Sequence, residues 1–361
     1  MLFYNNDIGV KHIYFLINYR QELVSLKKMT IYEIAKKAGV SPKTVSRVIN
    51  DEPSVSKATY EKVLMIIKET NFLPNISAQR LVSDKLKAIG LIVPRLGSPY
   101  ASELINVILS KCKAKGYISV VYPVEPDTEE SEKILALYLQ RHVDGFIFAP
   151  PRGGNEFLLD YLEKNNIPTI LITPNRPYRD FCVVKATDKM GGYQATNYLI
   201  TLGHKKIGII TCVPSRTFTQ ERLEGYKEAL EANGIQQNER FIQLGDNSFS
   251  SGFSAAKKLL SIDDPPTAIF ACNDEMALGA ESAIFKIGLK IPDDISLIGF
   301  DDISLVSELS VPLTTIKQPV EDIGGIAVSL LIQLMGKQQL EKKVYEIPTE
   351  IVIRNSCKKI N

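Results

Sequence analysis

Apolar residues between positions 31 and 49 repeat with the period of an α-helix, with one interruption. The first run has the spacing i, i+3, i+4 and i+7 that puts one stripe against a core: Ile31, Ile34, Ala35 and Ala38. Gly39 can turn the chain sharply, Val40 is the buried residue of the turn, and Ser41 followed by Pro42 is typical of a helix start. The pattern therefore predicts two short helices joined by a tight turn.

The second of these helices has a polar face that suits contact with DNA. Val45 and Val48 are predicted to face the core, and four residues face outward: Lys43, Thr44, Ser46 and Arg47. That face offers hydrogen-bond donors and no carboxylate, as a helix in a major groove requires. An ordinary helical hairpin with a solvated polar face is the alternative. A third helix is predicted after Ser56, where apolar residues keep helical spacing: Tyr60, Val63, Leu64 and Ile67.

After residue 87 the period changes, and short β-branched runs alternate with amphipathic helical stretches. The predicted strands are Ala88–Val93, Ile118–Tyr122, Gly145–Ala149, Thr169–Thr173, Cys182–Lys185, Lys206–Thr211, Phe241–Leu244, Ala268–Cys272 and Ser296–Phe300. The predicted helices span residues 102–115, 128–141, 156–165, 190–202, 220–233, 251–260, 275–287 and 320–335. Such alternation implies parallel sheets with right-handed crossovers. Because more than 270 residues exceed one sheet, we expect two doubly wound subdomains with a cleft between them.

The distribution of charge divides the chain into a basic head and an acidic body. The 361 residues are 45% hydrophobic and carry a net charge of only +2. Residues 1–87 hold 14 Lys and Arg against 8 Asp and Glu, whereas the remainder holds 29 against 33. Because phosphates dominate affinity for nucleic acids, this asymmetry is typical of a nucleic-acid-binding module attached to a sensor.

The sequence indicates neither a metal centre nor a catalytic site. The five cysteines include no CxxC pair, and the three histidines lie far apart at His12, His142 and His204. No GxxxxGK[ST] or GxGxxG motif opens a predicted helix. We therefore expect no cofactor, no metal ion and no enzymatic activity. Residues 13–17 form an apolar run that is too short to span a membrane, so we expect a cytoplasmic protein without membrane contact. In that reducing compartment the scattered cysteines are expected to be buried free thiols.

The run TIYEIAKKAGVSPKTVSRVIN resembles the DNA-binding headpiece of the LacI/GalR family of bacterial transcription regulators. The resemblance includes Val55-Ser56, Pro74-Asn75 and Ala78-Gln79-Arg80-Leu81, and it continues from Ile89-Gly90 to about residue 357. It implies a small all-α helix-turn-helix headpiece followed by an α/β effector domain. The effector domain would be like periplasmic sugar-binding proteins, with two doubly wound parallel-sheet subdomains.

The resemblance also sets the expected domain boundaries. Family members begin one or two residues before the equivalent of Thr30, so residues 1–28 are expected to be an upstream extension and Met29 the true start. By analogy, the chain crosses between subdomains near Asp188, near Gln318 and near residue 340. The expected ranges are 29–74 for the headpiece, 75–87 for the hinge and linker, 88–187 with 318–340 for the effector N-subdomain, and 188–317 with 341–357 for the C-subdomain.

Ten residues of the headpiece and hinge are expected to contact DNA. They are Thr30, Ser41, Lys43, Thr44, Ser46, Arg47, Asn50, Asn75, Ala78 and Leu81. In the family the hinge becomes helical when two copies pair over the minor groove, and the residue matching Leu81 wedges into a base step. The alternatives are a plain linker for residues 75–83 and, for Leu81, packing against the effector domain.

Polar residues that follow predicted strands indicate a ligand site, because ligands of open α/β sheets bind beyond the carboxyl ends of the strands. Such segments follow Pro94, Ala149, Cys272 and Phe300. Amides, carboxylates and a guanidinium around a cleft suit the hydroxyls of a sugar. The expected effector contacts, some on family positions, are Tyr100, Arg152, Asn175, Arg222, Asn273 and Asp301. Helix capping is an alternative role for two neighbouring carboxylates, Asp274 and Asp302.

Three departures from the family pattern fall at positions that help to choose the ligand. Tyr100 is followed by Ala101 rather than by a second aromatic residue, so stacking on an effector must be lighter. The other two are Thr173-Pro174-Asn175-Arg176 and Asp188-Lys189. The effector is therefore expected only to be a small polar molecule, a sugar or a sugar derivative.

These features lead to one functional hypothesis and three alternatives. The hypothesis is a homodimeric repressor of a carbohydrate-use operon that binds double-stranded operator DNA and responds to a small effector. Some family members form tetramers through a C-terminal leucine-heptad helix, and because no such heptads follow Ile351 the resemblance implies a dimer. The alternatives are a regulator controlled by a phosphorylated partner protein, a Rossmann-type sugar enzyme with an attached helix-turn-helix, and a sugar-binding transport component.

Overall fold

The computed structural model describes most of the chain and divides it into two compact units. The described residues are 29–49, 53–70, 72, 86–93, 97–123, 131–139, 142–149, 156–174, 181–214 and 216–360. The two units are Met1–Lys85 and Leu86–Asn361. Among the described residues, no helix is both long and apolar enough to cross a bilayer.

The first unit contains three helices around one small core. They are α1 (Ile31–Ala38), α2 (Pro42–Ile49) and α3 (Lys57–Glu69). Gly39 ends α1 with a left-handed φ of 67°, which confirms its predicted place at the corner. Val40 is half-buried rather than buried and packs against the core. The buried members of that core are Ile34, Ala35, Ala38, Val45, Val48, Val63, Ile66 and Phe72.

Side-chain caps fix the starts of all three helices. Thr30 accepts from the Glu33 amide at 3.3 Å, and Glu33 Oε2 accepts from the Thr30 amide at 2.7 Å, which forms a capping box. The Ser41 hydroxyl accepts from the Thr44 amide at 3.1 Å, and Ser56 caps α3 in the same way. Each cap stabilises its helix by about 1 kcal/mol, which is a large contribution for so small a core.

The second unit contains two six-stranded sheets, each with helices on both faces. Its first half consists of β1 (Ala88–Val93), α4 (Pro99–Ala114), β2 (Ile118–Pro123), α5 (Ser131–Leu139), β3 (Gly145–Phe148), α6 (Glu156–Lys164), β4 (Thr169–Ile172), β5 (Cys182–Ala186), α7 (Asp188–Thr201) and β6 (Ile207–Thr211). Its second half consists of α8 (Thr217–Ala232), β7 (Ile242–Leu244), α9 (Phe249–Leu260), β8 (Ala268–Ala271), α10 (Asp274–Lys286), β9 (Ser296–Asp301), β10 (Thr314–Lys317), α11 (Val320–Met335), β11 (Val344–Ile347) and β12 (Glu350–Val352).

Each sheet defines one subdomain. The N-subdomain sheet has the order β11-β5-β4-β3-β1-β2, and the C-subdomain sheet has the order β12-β10-β9-β8-β6-β7. Within the described residues the paired strands are parallel, except that β10 and β12 are antiparallel. In the N-subdomain, α4 and α11 cover one face of the sheet, and α5 and α6 cover the other. The predicted fold class, two doubly wound sheets after a helical headpiece, is confirmed.

The chain passes three times between the subdomains, and the third passage differs from the prediction. It crosses between Ala186 and Asp188, and again between Lys317 and Val320. We expected the last crossing near residue 340, with 341–357 in the C-subdomain, and this was wrong for the strand β11. That strand pairs with β5, so the crossing falls between Ile347 and Glu350.

Hydrogen bonds tie the first and third crossings together. The Thr187 amide donates to the Ile347 carbonyl at 3.0 Å, and the Thr349 amide donates to the Thr187 hydroxyl at 3.0 Å. The strands β10, β11 and β12 were not predicted from the sequence. Several helices begin two or three residues earlier than predicted, among them α4 at Pro99 and α8 at Thr217.

Candidate functional site

Helices α7 and α8 pack backbone against backbone because glycines face each other across their contact. A Cβ atom on Gly192 would clash with the Arg222 carbonyl, and one on Gly225 would clash with the Lys189 carbonyl. Any larger residue at either position would push the helices apart. This close approach places Arg222, on α8, beside Asp188, the first residue of α7.

Arg222 is the centre of the candidate site and is held on all sides. Its side chain is only 4% exposed, and Nε and Nη2 both donate to Asp188 Oδ1, at 2.8 and 2.7 Å. Nη1 donates to the Cys272 carbonyl. The guanidinium carbon lies 3.5 Å from the centre of the Phe300 ring and 5.0 Å from that of Phe218. Stacking on aromatic faces and bonding to a carboxylate compensate for the cost of burying this charge.

Asp301 supplies a second carboxylate at the carboxyl end of β9. Its Oδ1 lies 3.9 Å from Arg222 Nη1 and accepts from Gln318 Nε2 at 2.7 Å. Its backbone has a φ of 120°, which is rare for a residue with a side chain. Burial raises the pKa of Asp301 to about 7, and the charge of Asp188 adds to the effect, while Arg222 opposes it. The carboxyl group therefore titrates near neutral pH.

Tyr100 brings the N-subdomain to the same place. It lies at the start of α4 and packs against the cores of both subdomains. Burial raises the pKa of its phenol, and the charges of Asp301 and Asp188 raise it further. The hydroxyl therefore stays neutral and keeps its hydrogen-bond donor. We call Tyr100, Asp188, Arg222 and Asp301 the Arg222 cluster.

The cluster unites three of the six predicted effector residues and adds one that the prediction omitted. Tyr100, Arg222 and Asp301 come together, whereas Asp188 was noted only as a departure from the family pattern. Glycines inside predicted helices indicate close backbone approach, and Gly192 with Gly225 was the available signal. Arg152 and Asn175 lie outside the described residues.

Asn273 has a structural role that the prediction did not include. Its Oδ1 caps α10 by accepting from the Met276 amide at 2.9 Å, and its Nδ2 donates to the Asn247 carbonyl at 3.2 Å. With both ends of the amide engaged, an effector contact would replace or share one of these bonds. The contact of Asn273 with an effector remains a prediction.

Neither Asp274 nor Asp302 caps a helix with its side chain in the contacts that are resolved. Asp274 Oδ1 accepts from the Thr315 hydroxyl at 2.7 Å, and Oδ2 accepts from the Ile303 amide at 2.9 Å. Arg354 donates to Asp302 at 2.6 Å. Both carboxylates therefore brace the loops and strands behind the Arg222 cluster.

The predicted DNA-contacting residues that are described lie at the start of α1, at the turn and along α2. Lys43 is exposed, and Thr44, Ser46 and Arg47 are half-buried. Thr30 and Ser41 are exposed and also cap their helices, and the Ser41 and Thr44 hydroxyls bond each other at 2.9 Å. Four further predicted contacts lie outside the described residues: Asn50, Asn75, Ala78 and Leu81.

Histidine and cysteine residues of the described chain show no arrangement for metal binding. In that part of the chain, no group of three or more His, Cys, Asp or Glu residues could hold a metal ion. His204 is buried, with Nδ1 2.9 Å from the Thr267 hydroxyl and Nε2 3.0 Å from the Ser296 hydroxyl, which is a structural role. All five cysteines are free thiols.

Comparison with known proteins yields two family matches. Residues 30–75 match the model of bacterial regulatory proteins of the lacI family, and residues 196–357 match that of a periplasmic binding protein-like domain. The chain is 35% identical over 334 residues to the HTH-type transcriptional repressor PurR of Aliivibrio salmonicida, which covers 92% of this chain and 99% of that protein. It is 34% identical to the HTH-type transcriptional regulator DegA of Bacillus subtilis, with the same coverage of both chains.

Solved structures with the same fold include two regulators with bound small molecules. The Lac repressor dimer bound to operator and the anti-inducer ONPF is 32% identical, with a TM-score of 0.80 over 92% of this chain and 100% of that one. The transcriptional regulator CelR in complex with cellobiose is 28% identical, with a TM-score of 0.69 over 91% of this chain and 99% of that one.

Proposed function

Because the chain belongs to the lacI family of bacterial regulatory proteins, we propose that it is a sequence-specific transcriptional repressor controlled by a small polar effector. The relatives reported above are transcriptional regulators. The headpiece would read an operator with α2, and the effector would bind at the Arg222 cluster. We propose a sugar or sugar derivative as the effector and a carbohydrate-use operon as the target.

The observation that carries this proposal is the composition of the Arg222 cluster. The cluster combines a guanidinium, two carboxyl groups and a neutral phenol where the two subdomains meet, which supports a site that offers a ligand both donors and acceptors. Hydroxyl groups require both, and the nearby Phe218 ring can pack on the apolar face of a sugar. One of the similar structures is described as a complex with cellobiose, which agrees with this class of ligand.

Control of DNA binding follows from the two-subdomain architecture. Tyr100 comes from one subdomain and Arg222 from the other, so a ligand that touches both favours one arrangement of the pair. A ligand shifts such an equilibrium only by its difference in affinity for the two arrangements. We propose that the shift changes how well residues 75–83 of two protomers pair over the operator.

The DNA half of the proposal is tested by selection from random duplexes. The full chain is incubated with a random DNA pool, and bound DNA is amplified and sequenced over several rounds. We expect a near-palindromic site, because a two-fold dimer presents two copies of α2. Recovery of DNA without a shared sequence would refute a sequence-specific repressor.

The effector half is tested by thermal shift on the full chain with a panel of sugars and metabolites. A bound effector raises the melting temperature by mass action. A stabilising compound is then added to the complex with the selected operator. A change in operator affinity is expected, and a stabilising compound with no such effect would not be an effector.

A further inference from the structure

One oxygen of Asp188 has no partner although the residue is buried. Asp188 is 1% exposed, and its Oδ1 takes both bonds from Arg222. Its Oδ2 is inaccessible to solvent and accepts no hydrogen bond from any described residue. A buried oxygen without a donor costs of the order of 1–3 kcal/mol, and more when charged. Such an atom calls for a donor that the described part of the chain does not supply.

Asp188 lies at the place where the subdomains meet. It begins α7 directly after the first crossing of the chain, and its charge acts on the phenol of Tyr100 from the other subdomain. It also acts on Asp301, across the guanidinium of Arg222. The unpaired oxygen therefore lies within the Arg222 cluster, where the proposed effector binds, although solvent does not reach it in this arrangement of the subdomains.

Arg222 is not available as a bare cation. Three of its five N–H groups are already used, two by Asp188 and one by the Cys272 carbonyl. Its charge is balanced by Asp188, and Asp301 adds a second carboxyl group within 3.9 Å. A phosphate or carboxylate placed against Arg222 would meet the Asp188 carboxylate, and Asp301 as well whenever that group is ionised, and like charges at such range repel.

We propose that Asp188 is an additional effector-binding residue that selects the class of effector. Its Oδ2 accepts a hydrogen bond from an O–H or N–H group of the ligand, while Arg222 donates to a neighbouring acceptor atom. The site thereby takes uncharged or cationic polyols, such as free sugars and amino sugars, and rejects their phosphorylated or acidic forms. This inference rests on the proposed function and names the ligand class of the same site.

A purely structural role for Asp188 is the competing explanation, in which it only holds Arg222 in place. Asp188→Asn separates the two roles because the amide oxygen can still accept from Arg222, whereas Nδ2 puts a donor where Oδ2 accepts. Asp302→Asn is the matched control. Asp302 also pairs with an arginine of the C-subdomain, Arg354, at 2.6 Å, and neither residue belongs to the Arg222 cluster.

The experiment is a thermal-shift titration of the full chain with matched probes. These are ribose and ribose 5-phosphate, then glucose, glucosamine, glucose 6-phosphate and gluconate, and cellobiose with cellobionate. We expect at least one neutral or amino member to stabilise the wild type and its acidic counterpart to fail. Asp188→Asn should weaken binding of that probe at least tenfold, and Asp302→Asn should leave it within twofold.

Several outcomes would overturn the inference. They are stabilisation only by phosphorylated or acidic probes, no stabilisation by any neutral or amino probe, and equal affinity in Asp188→Asn and the wild type. If Asp188→Asn does not fold, as its melting curve without probe would reveal, the wild-type comparison of neutral and acidic probes decides alone. Selection of an operator from random DNA is independent of all these results, so failure of this inference and failure of the repressor function are distinguishable.

Discussion

Asp301 connects the candidate site to the second crossing of the chain between the subdomains. Gln318 lies between β10 and α11, and its side chain donates to Asp301 at 2.7 Å. A ligand that donates a hydrogen bond to Asp301 would compete with the Gln318 side chain for this carboxyl group. Ligand binding at Asp301 is therefore expected to affect the chain segment of the second crossing as well.

The raised pKa of Asp301 predicts a pH dependence of stability. In an unfolded chain the group titrates near 3.9, whereas burial moves its pKa to about 7 in the folded protein. Folding is thus favoured most when the group is protonated, and stability falls as pH rises from about 4 through about 7. Asp301→Asn should remove that fall, which amounts to up to about 4 kcal/mol over the whole range and about 3 kcal/mol between pH 5 and pH 8. The measurement is urea unfolding of both proteins from pH 5 to 8, and an unchanged slope in the variant would contradict the prediction.

Arg47 is the second residue whose role can be isolated. It lies in the last turn of α2, and we expect its side chain to reach guanine acceptors or the neighbouring phosphates. Arg47→Ala should weaken binding to the selected operator by roughly 1–3 kcal/mol. The difference in affinity between the operator and random DNA should therefore become smaller. Binding is measured by fluorescence anisotropy on both DNAs, with Lys57→Ala as a control on another helix. Equal weakening on both DNAs would assign Arg47 to phosphate alone.

At the element scale, a lysine on β5 links the two subdomains. Lys185 Nζ lies 2.6 Å from Glu221 Oε1 on α8 and 3.2 Å from Glu346 Oε1 on β11. Glu221 belongs to the C-subdomain and Glu346 to the N-subdomain. The side chains of Lys185 and Glu221 are mostly buried, so solvent screens the ion pair between them only partly. The pair with Glu221 therefore favours the arrangement in which Tyr100 meets Arg222.

Removing the Lys185–Glu221 ion pair should raise the effector concentration that is needed to saturate the protein. Glu221→Gln breaks the link between subdomains and keeps the bond of Lys185 to Glu346. Because a partly buried pair contributes of the order of 1 kcal/mol, we expect about a fivefold rise in the effector concentration that changes operator binding. Glu346→Gln keeps the link and serves as the control. Equal shifts in the two variants would argue against the link.

The hinge is an element whose prediction falls outside the described residues. A segment as short as residues 75–83 is not a stable helix alone, so we expect two copies to order each other on the operator. Leu81→Ala should lose most operator specificity, because the side chain that would open a base step is gone. Hydrogen exchange should be fast in this segment without DNA and slow with it. Fast exchange both with and without DNA would indicate that residues 75–83 act only as a flexible tether.

Sequence patterns predicted elements where periodicity was strong and failed where it was weak. The strands β1 to β9 were all anticipated because each is apolar and buried or follows a clear turn. The strands β11 and β12 lie at sheet edges and contain no fully buried residue, and β10 contains only one apolar residue, Ile316. Helix starts were predicted late because first turns such as that of α8 are polar and carry no apolar period. The pairing of Asp188 with Arg222 depends on how α7 and α8 pack. Gly192 and Gly225 indicate close backbone approach, but no local pattern shows that these two helices approach each other.

At the scale of the whole molecule, the proposed assembly is a homodimer. A similar structure is described as a Lac repressor dimer bound to operator, and two-fold symmetry matches a near-palindromic site. We expect a mass of about 80 kDa, twice that of the 40.2 kDa chain, by light scattering at micromolar concentration. A mass of four chains or of one would contradict the prediction.

The triple crossing also determines when the effector domain can fold during synthesis. Strand β11 completes the N-subdomain sheet and β12 completes the other, and both lie after residue 343. The Ser356 hydroxyl then accepts from the Thr314 amide at 2.8 Å, so even later residues brace β10. A ribosome must therefore release nearly the whole chain before either sheet has both edges. During that interval the headpiece, which is made first, already has its own core and can meet DNA before the subdomains that regulate it are finished.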